Sequence, residues 1–164
     1  EMPIAIEYMD VARANVLSSI SPVNQNSNPI GKRGKIVMIS SLSHVTGYPG
    51  ASVYAATKDA LAVYARSVGP VWKKKGIRLL TVFPGPVRTD HAERHAPTGA
   101  RADKRMTPEV LAVKILKAAK TKQTELYPGG TAKLAKAFGQ LFPRASARLM
   151  RRVIFEKLDR NTFD

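Results

Sequence analysis

Hydrophobic positions along the chain fall into two kinds of run. Lys35-Ile36-Val37-Met38-Ile39-Ser40 and Ile77-Arg78-Leu79-Leu80-Thr81-Val82-Phe83 are short and nearly continuous, the pattern of strands buried on both faces. Elsewhere the apolar positions recur at helical spacing. Ile6, Met9, Val16, Leu17 and Ile20 predict a helix over about residues 5–20, ended by Pro22 and followed by a Pro-, Asn-, Ser- and Gly-rich loop over 22–34. Residues 53–75 are Ala-rich and helical, with Gly76 as the stop. Gly69-Pro70 inside this helix is expected to kink or shorten it, because proline lacks the N–H and crowds the preceding turn. Residues 88–106 read as polar and irregular. Thr107-Pro108-Glu109 is a strong helix start, with a Thr N-cap, Pro at the first position and an acid in the first turn. That helix is expected to reach about Lys120. Thr124-Glu125-Leu126-Tyr127 is a short strand candidate before Pro128-Gly129-Gly130, and an amphipathic basic tail over 131–158 is expected to break at Pro143.

Helix, strand, helix, strand, helix, strand and terminal helices in that order predict an α/β fold with a parallel sheet covered on both faces. Such sheets bind ligands beyond the carboxyl ends of their strands, so the chemistry should follow Ile39 and Phe83. Ser40-Ser41 follows the first strand, Tyr54 lies thirteen residues beyond Ser41, and Lys58 four beyond Tyr54. Tyr54 and Lys58 share a helix face. An ammonium beside a phenol favours the phenolate, which suits a phenol to general acid/base work. Ser41, on the loop facing that helix, can hydrogen-bond a substrate oxygen. In a chain with 5 Tyr and many lysines the Tyr–Lys spacing alone carries little weight. The serine at fixed distance and the Pro84-Gly85 after the next strand give it weight.

At these residues the chain resembles the short-chain dehydrogenase/reductase family. The matching pieces are Ile39-Ser40-Ser41, Tyr54-Ala55-Ala56-Thr57-Lys58 and Pro84-Gly85-Pro86-Val87-Arg88-Thr89, over about residues 10–130. The resemblance implies a Rossmann-like doubly wound parallel sheet. It also implies NAD or NADP as cofactor, hydride transfer to or from a carbonyl or alcohol, and homo-oligomers formed through the helix carrying Tyr54. By position, Tyr54 would be the general acid/base. Lys58 would support it and hold the nicotinamide ribose, and Ser41 would orient the substrate carbonyl. Pro84, Gly85, Val87 and Thr89 would line the nicotinamide end. Asn15, in Ala14-Asn15-Val16, is the candidate for the proton-relay Asn of the family, against a solvent-facing helix Asn.

The family's Gly-rich pyrophosphate turn is missing from this sequence, and no residue is placed to read the adenosine ribose, so NAD and NADP are not discriminated. The expected fold is therefore incomplete: a C-terminal half with about three strands over residues 1–130, plus basic helices over 131–164. A truncated chain of this kind is expected to be inactive alone and to expose an apolar sheet edge. A non-catalytic relic is the competing reading.

Length and charge sharpen this picture. The 164 residues suit one domain, 44% hydrophobic content excludes a disordered chain, and zero Cys excludes disulfide scaffolds and thiolate metal sites. No apolar run approaches the roughly 20 residues of a membrane span. Residues 1–20 lack a signal-peptide pattern, so a cytoplasmic protein, at most membrane-associated, is expected. The net charge of +15 invites a nucleic-acid reading. That reading is weak because the aromatic residues follow core patterns and do not interleave with Lys and Arg. His91 and His95 are four apart, but lack a third ligand and read as exposed loop histidines; no metal site is expected. Six basic residues and no acidic one lie between Lys133 and Arg152. A basic amphipathic helix there can lie on a membrane or cover a protein cleft or interface, and packing on protein is the favoured expectation. The apolar stripe of Leu149, Met150, Val153 and Ile154 hints at a hydrophobic alcohol or ketone as substrate.

Overall fold

The computed structural model describes residues 34–47, 50–89, 103 and 105–157. The helix expected over 5–20, residues 22–33 of the expected loop, and Asn15, His91 and His95 lie outside them, while Gly34, the last residue of that loop, opens the first strand. Strand β1 (Gly34–Ile39) leads through a 3-10 turn (Leu42–His44) to helix α1 (Ser52–Lys74) and strand β2 (Ile77–Val82). Helix α2 (Pro108–Ala119), strand β3 (Glu125–Leu126), helix α3 (Gly130–Leu141) and helix α4 (Pro143–Val153) follow. The sheet order is β1-β2-β3 with both pairs parallel, the α/β arrangement expected from the sequence. Among the described residues no strand pairs with the outer edge of β1, where Ile39 is 43% exposed.

The strand alternation accounts for the two layers. Ile36 and Met38 of β1 and Leu79 of β2 pack against Tyr64, Ala65, Val68 and Trp72 of α1. The intervening Val37, Leu80 and Val82 pack against Leu111, Ile115 and Ala118 of α2. Side chains two apart share a face of a strand, so each short apolar run supplies both cores. A third cluster joins Ala62, Phe83, Tyr127 and Ala132, with Leu42 packed against it, and ties α3 to the carboxyl ends of the strands.

The helix limits have local causes. Thr107 Oγ1 accepts from the Val110 N–H, and Pro108 occupies the first helical position of α2. At the other end of α2, the Lys35 ammonium donates to the Ala118 and Thr121 carbonyls at 3.2 and 2.6 Å, a cation where the helix dipole favours one. Gly76, at φ 82°, turns the chain out of α1. Gly69-Pro70 does not shorten the helix: α1 runs through Pro70 to Lys74. Pro70 and Arg66 are both exposed, so the carbonyl that loses its helical donor lies on the watered side, where the loss is tolerated. The break at Pro143 is present between α3 and α4. No described helix is long and apolar enough to cross a membrane.

Candidate active site

The carboxyl ends of β1 and β2 are gathered by backbone bonds. The Ser40 N–H donates to the Val82 carbonyl and the Leu42 N–H to the Pro84 carbonyl, both at 2.8 Å. The turn carrying Ser41 therefore lies against the Pro84-Gly85 loop. Gly85 packs beside Leu42. Beyond it, Val87 bridges to Met106 and the Arg88 N–H donates to the Met106 carbonyl, with Thr89 exposed.

A reciprocal clasp fixes α1 over this corner. The buried Ser40 hydroxyl donates to the Lys58 carbonyl at 2.7 Å, and the Lys58 ammonium donates to the Ile39 carbonyl at 3.2 Å. Lys58 is 9% exposed, and its Nζ stands 5.6 Å from the centre of the Tyr54 ring. Burial holds its pKa below the ordinary lysine value. The Ser41 hydroxyl caps the 3-10 turn by accepting from the Ser43 N–H at 3.2 Å, which leaves its own proton to donate. The structure thus brings Tyr54 to Lys58 and seats Lys58 on the strand end next to Ser40-Ser41.

A second polar group, not singled out from the sequence, supports the turn. His44 has a side chain only 2% exposed. Its Nδ1 is 3.3 Å from Asp59 Oδ1 and its Nε2 is 3.0 Å from the Tyr127 hydroxyl. The ring lies 4.4 Å from Phe83, which stacks on Tyr127. Burial lowers the His44 pKa, and the Asp59 carboxylate only partly opposes this. Burial and Glu125 push the Tyr127 phenol up. The neutral tautomer follows: the Tyr127 O–H donates to Nε2, and Nδ1–H donates to Asp59. Arg66 sits between Asp59 and Glu125 at 4.0 and 3.7 Å, and Lys136 closes the ring on Glu125 at 2.9 Å. Asp59 follows Lys58 directly, so this network braces the Ser41 turn against the helix that carries Tyr54 and Lys58.

The family model for short chain dehydrogenases matches residues 5–99, more than half of the chain. The chain belongs to the short-chain dehydrogenase family. Among its relatives, the NADPH-dependent 1-acyldihydroxyacetone phosphate reductase of Saccharomyces cerevisiae is 32% identical over 83 residues, which cover 50% of this chain and 28% of the yeast protein. A short-chain dehydrogenase structure from Streptomyces avermitilis matches with a TM-score of 0.55 at 25% identity, covering 73% of this chain and 50% of that one. A short-chain dehydrogenase from Burkholderia cenocepacia, solved in complex with NADP, shares the fold with a TM-score of 0.59 at 18% identity, covering 88% and 55%. This short-chain dehydrogenase chain therefore spans about half the length of the solved structures it matches, and the matched stretch spans under a third of the yeast relative.

Proposed function

We propose that this chain carries the proton-transfer half of an NAD(P)-dependent oxidoreductase acting on a carbonyl or alcohol. The observation that carries the reading is the Lys58 ammonium, buried, with no carboxylate partner among the described residues, and 5.6 Å from the centre of the Tyr54 ring. A buried cation is costly for the fold, and beside a phenol it acquires a use. Tyr54 delivers a proton to the substrate oxygen in reduction and removes it in oxidation. Ser41 donates its free hydroxyl proton to that same oxygen and fixes its position. Lys58 places a buried, poorly screened positive charge 5.6 Å from the centre of the Tyr54 ring.

The residues present fit the nicotinamide end of the cofactor. Lys58 spends one N–H on Ile39 and keeps donors suited to ribose hydroxyls. Pro84, Gly85 and Val87 offer a flat, mainly apolar loop with Thr89 at its end. When bound, the cofactor supplies or accepts the hydride. Asn15 remains the proposed relay residue. The division into a catalytic region over 1–130 and a helical tail over 131–164 is proposed on the same basis. Val53, Val63 and Val71 are exposed on α1, with Ala56, Ala60 and Ser67 exposed between them. This small apolar stripe supports oligomers formed through the Tyr54 helix.

The test is NADH- or NADPH-dependent reduction of a ketone panel, followed at 340 nm, by the product of the native gene with whatever it encodes ahead of Glu1. Ser41→Ala is expected to lower kcat by about 10²-fold or more, on the scale of one lost oxyanion donor. Equal turnover by Ser41→Ala and the parent would remove Ser41 from its role. Robust turnover by the 164-residue chain alone would show that the adenine side is not needed from elsewhere.

A further inference from the structure

Helix α3 packs with inverted polarity. Its buried residues are Ala132 and Gly139, and Gly139 is pressed so close to Val45 that a Cβ there would lie 2.5 Å from the Val45 carbonyl oxygen. The inner face of α3 is thus its small-residue face. On the opposite face stand Leu134 and Leu141, 73% and 72% exposed, with Phe138 beside them and Phe142 at the corner into α4. The Phe138 and Phe142 rings are 5.7 Å apart. Helix α4 buries Ser146, and Leu149 and Val153 on that same side of the helix stay about half exposed. An ordinary surface helix buries its leucines, and a contiguous exposed apolar patch marks a docking surface.

Charge selects the occupant. Arg144, Arg148, Arg151 and Arg152 are all on the exposed side of α4. Arg151 reaches Glu156 at 3.7 Å, and among the described residues no ion pair engages Lys133, Arg144, Arg148 or Arg152. A two-fold pairing of this face with itself would bring two arginine clusters together, which is repulsive. Exposed leucines and phenylalanines next to unpaired arginines match the two layers of an anionic bilayer surface, acyl chains below and phosphates above.

We propose that the α3–α4 hairpin docks this protein onto anionic phospholipid membranes, with Leu134, Phe138, Leu141 and Phe142 entering the acyl boundary and Arg144, Arg148 and Arg152 binding headgroup phosphates. The surface does not depend on the catalytic reading and is tested without substrate or cofactor. Flotation of the 164-residue chain with phosphatidylcholine–phosphatidylserine vesicles (3:1) is expected to show binding that pure phosphatidylcholine does not support. The triple change Arg144→Gln, Arg148→Gln, Arg152→Gln should weaken it about 100-fold, at about fivefold per cation near the surface. Lys73→Gln, Lys74→Gln, Lys75→Gln removes the same charge from the end of α1 and should change it by less than about threefold.

Because the chain has no cysteine, Leu141→Cys takes a single polarity-sensitive dye. Its emission should shift to the blue on serine-lipid vesicles, while a dye at Lys74→Cys should not respond. Equal losses from the two triple variants, or no shift at position 141, would overturn the proposal. So would a dimer seen by light scattering that Leu134→Ser, Leu141→Ser dissolves in a chain that ignores vesicles.

Discussion

Lys58→Met separates a side chain kept for chemistry from one kept for stability. Among the described residues the ammonium makes one hydrogen bond, to the Ile39 carbonyl. Its nearest aromatic partner is the Tyr54 ring at 5.6 Å. Losing a hydrogen bond to a charged group costs about 1.5–3 kcal/mol. This cost is one side of the balance. Against it stands the desolvation of a buried cation, several kcal/mol before compensation. Methionine fills nearly the same volume without that penalty. The expected net change is within about 1 kcal/mol of zero, read as the midpoint of urea denaturation at constant m-value.

The pH dependence gives an independent check. Burial depresses the folded-state pKa of Lys58 below its unfolded value near 10.5, so between the two the unfolded chain binds more protons. Stability attributable to Lys58 therefore rises with pH through that window and stops rising above about 10.5. The difference between parent and Lys58→Met should show this rise. A loss of about 3 kcal/mol or more, the scale of breaking a buried ion pair, would make Lys58 a structural tether. It would remove the physical ground for assigning it to the reaction.

Other outcomes follow from the surrounding geometry. His44 has a folded-state pKa held below its unfolded value near 6.5. The stability it contributes is present above that value and is lost as pH falls through the window beneath it. Thermal unfolding between pH 7 and 5 should therefore drop more steeply for the parent than for His44→Gln, and parallel curves would refute the buried, neutral assignment. Gly139→Ala should gain about 1 kcal/mol in helix propensity but lose more to the clash with Val45, for a net loss of about 1–2 kcal/mol. Gly69→Ala, with nothing within 4 Å of its Cβ, should stabilise by about 0.5–1 kcal/mol. Denaturation midpoints moving in the same direction would contradict the close approach of α3.

The sheet was legible because helices pack on both faces of β1 and β2, so their apolar runs need no partner to be recognised. The start of α2 was legible because Thr107 and Pro108 act on their own helix. Tyr54 and Lys58 were legible because a four-residue spacing on a helix fixes their proximity. His44 was not, because its partner Tyr127 is 83 positions away and the two meet only once β3 lies beside β2. Lys35 capping α2 across a similar distance is hidden for the same reason. That Pro70 leaves the length of α1 intact was hidden because its cost depends on which side of the helix faces water. The tail's amphipathicity was readable, yet the inverted packing of α3 was not, since it depends on the contact between Gly139 and Val45.

The central claim is that Tyr54 moves the proton in a nicotinamide-dependent reaction. The most direct measurement is steady-state turnover and cofactor affinity for Tyr54→Phe in the native gene product, assayed beside the parent. The expected kcat is lower by about 10²–10⁴-fold, the range of general acid/base contributions, while the cofactor dissociation constant changes little. Turnover within about tenfold of the parent, far inside that range, would contradict it.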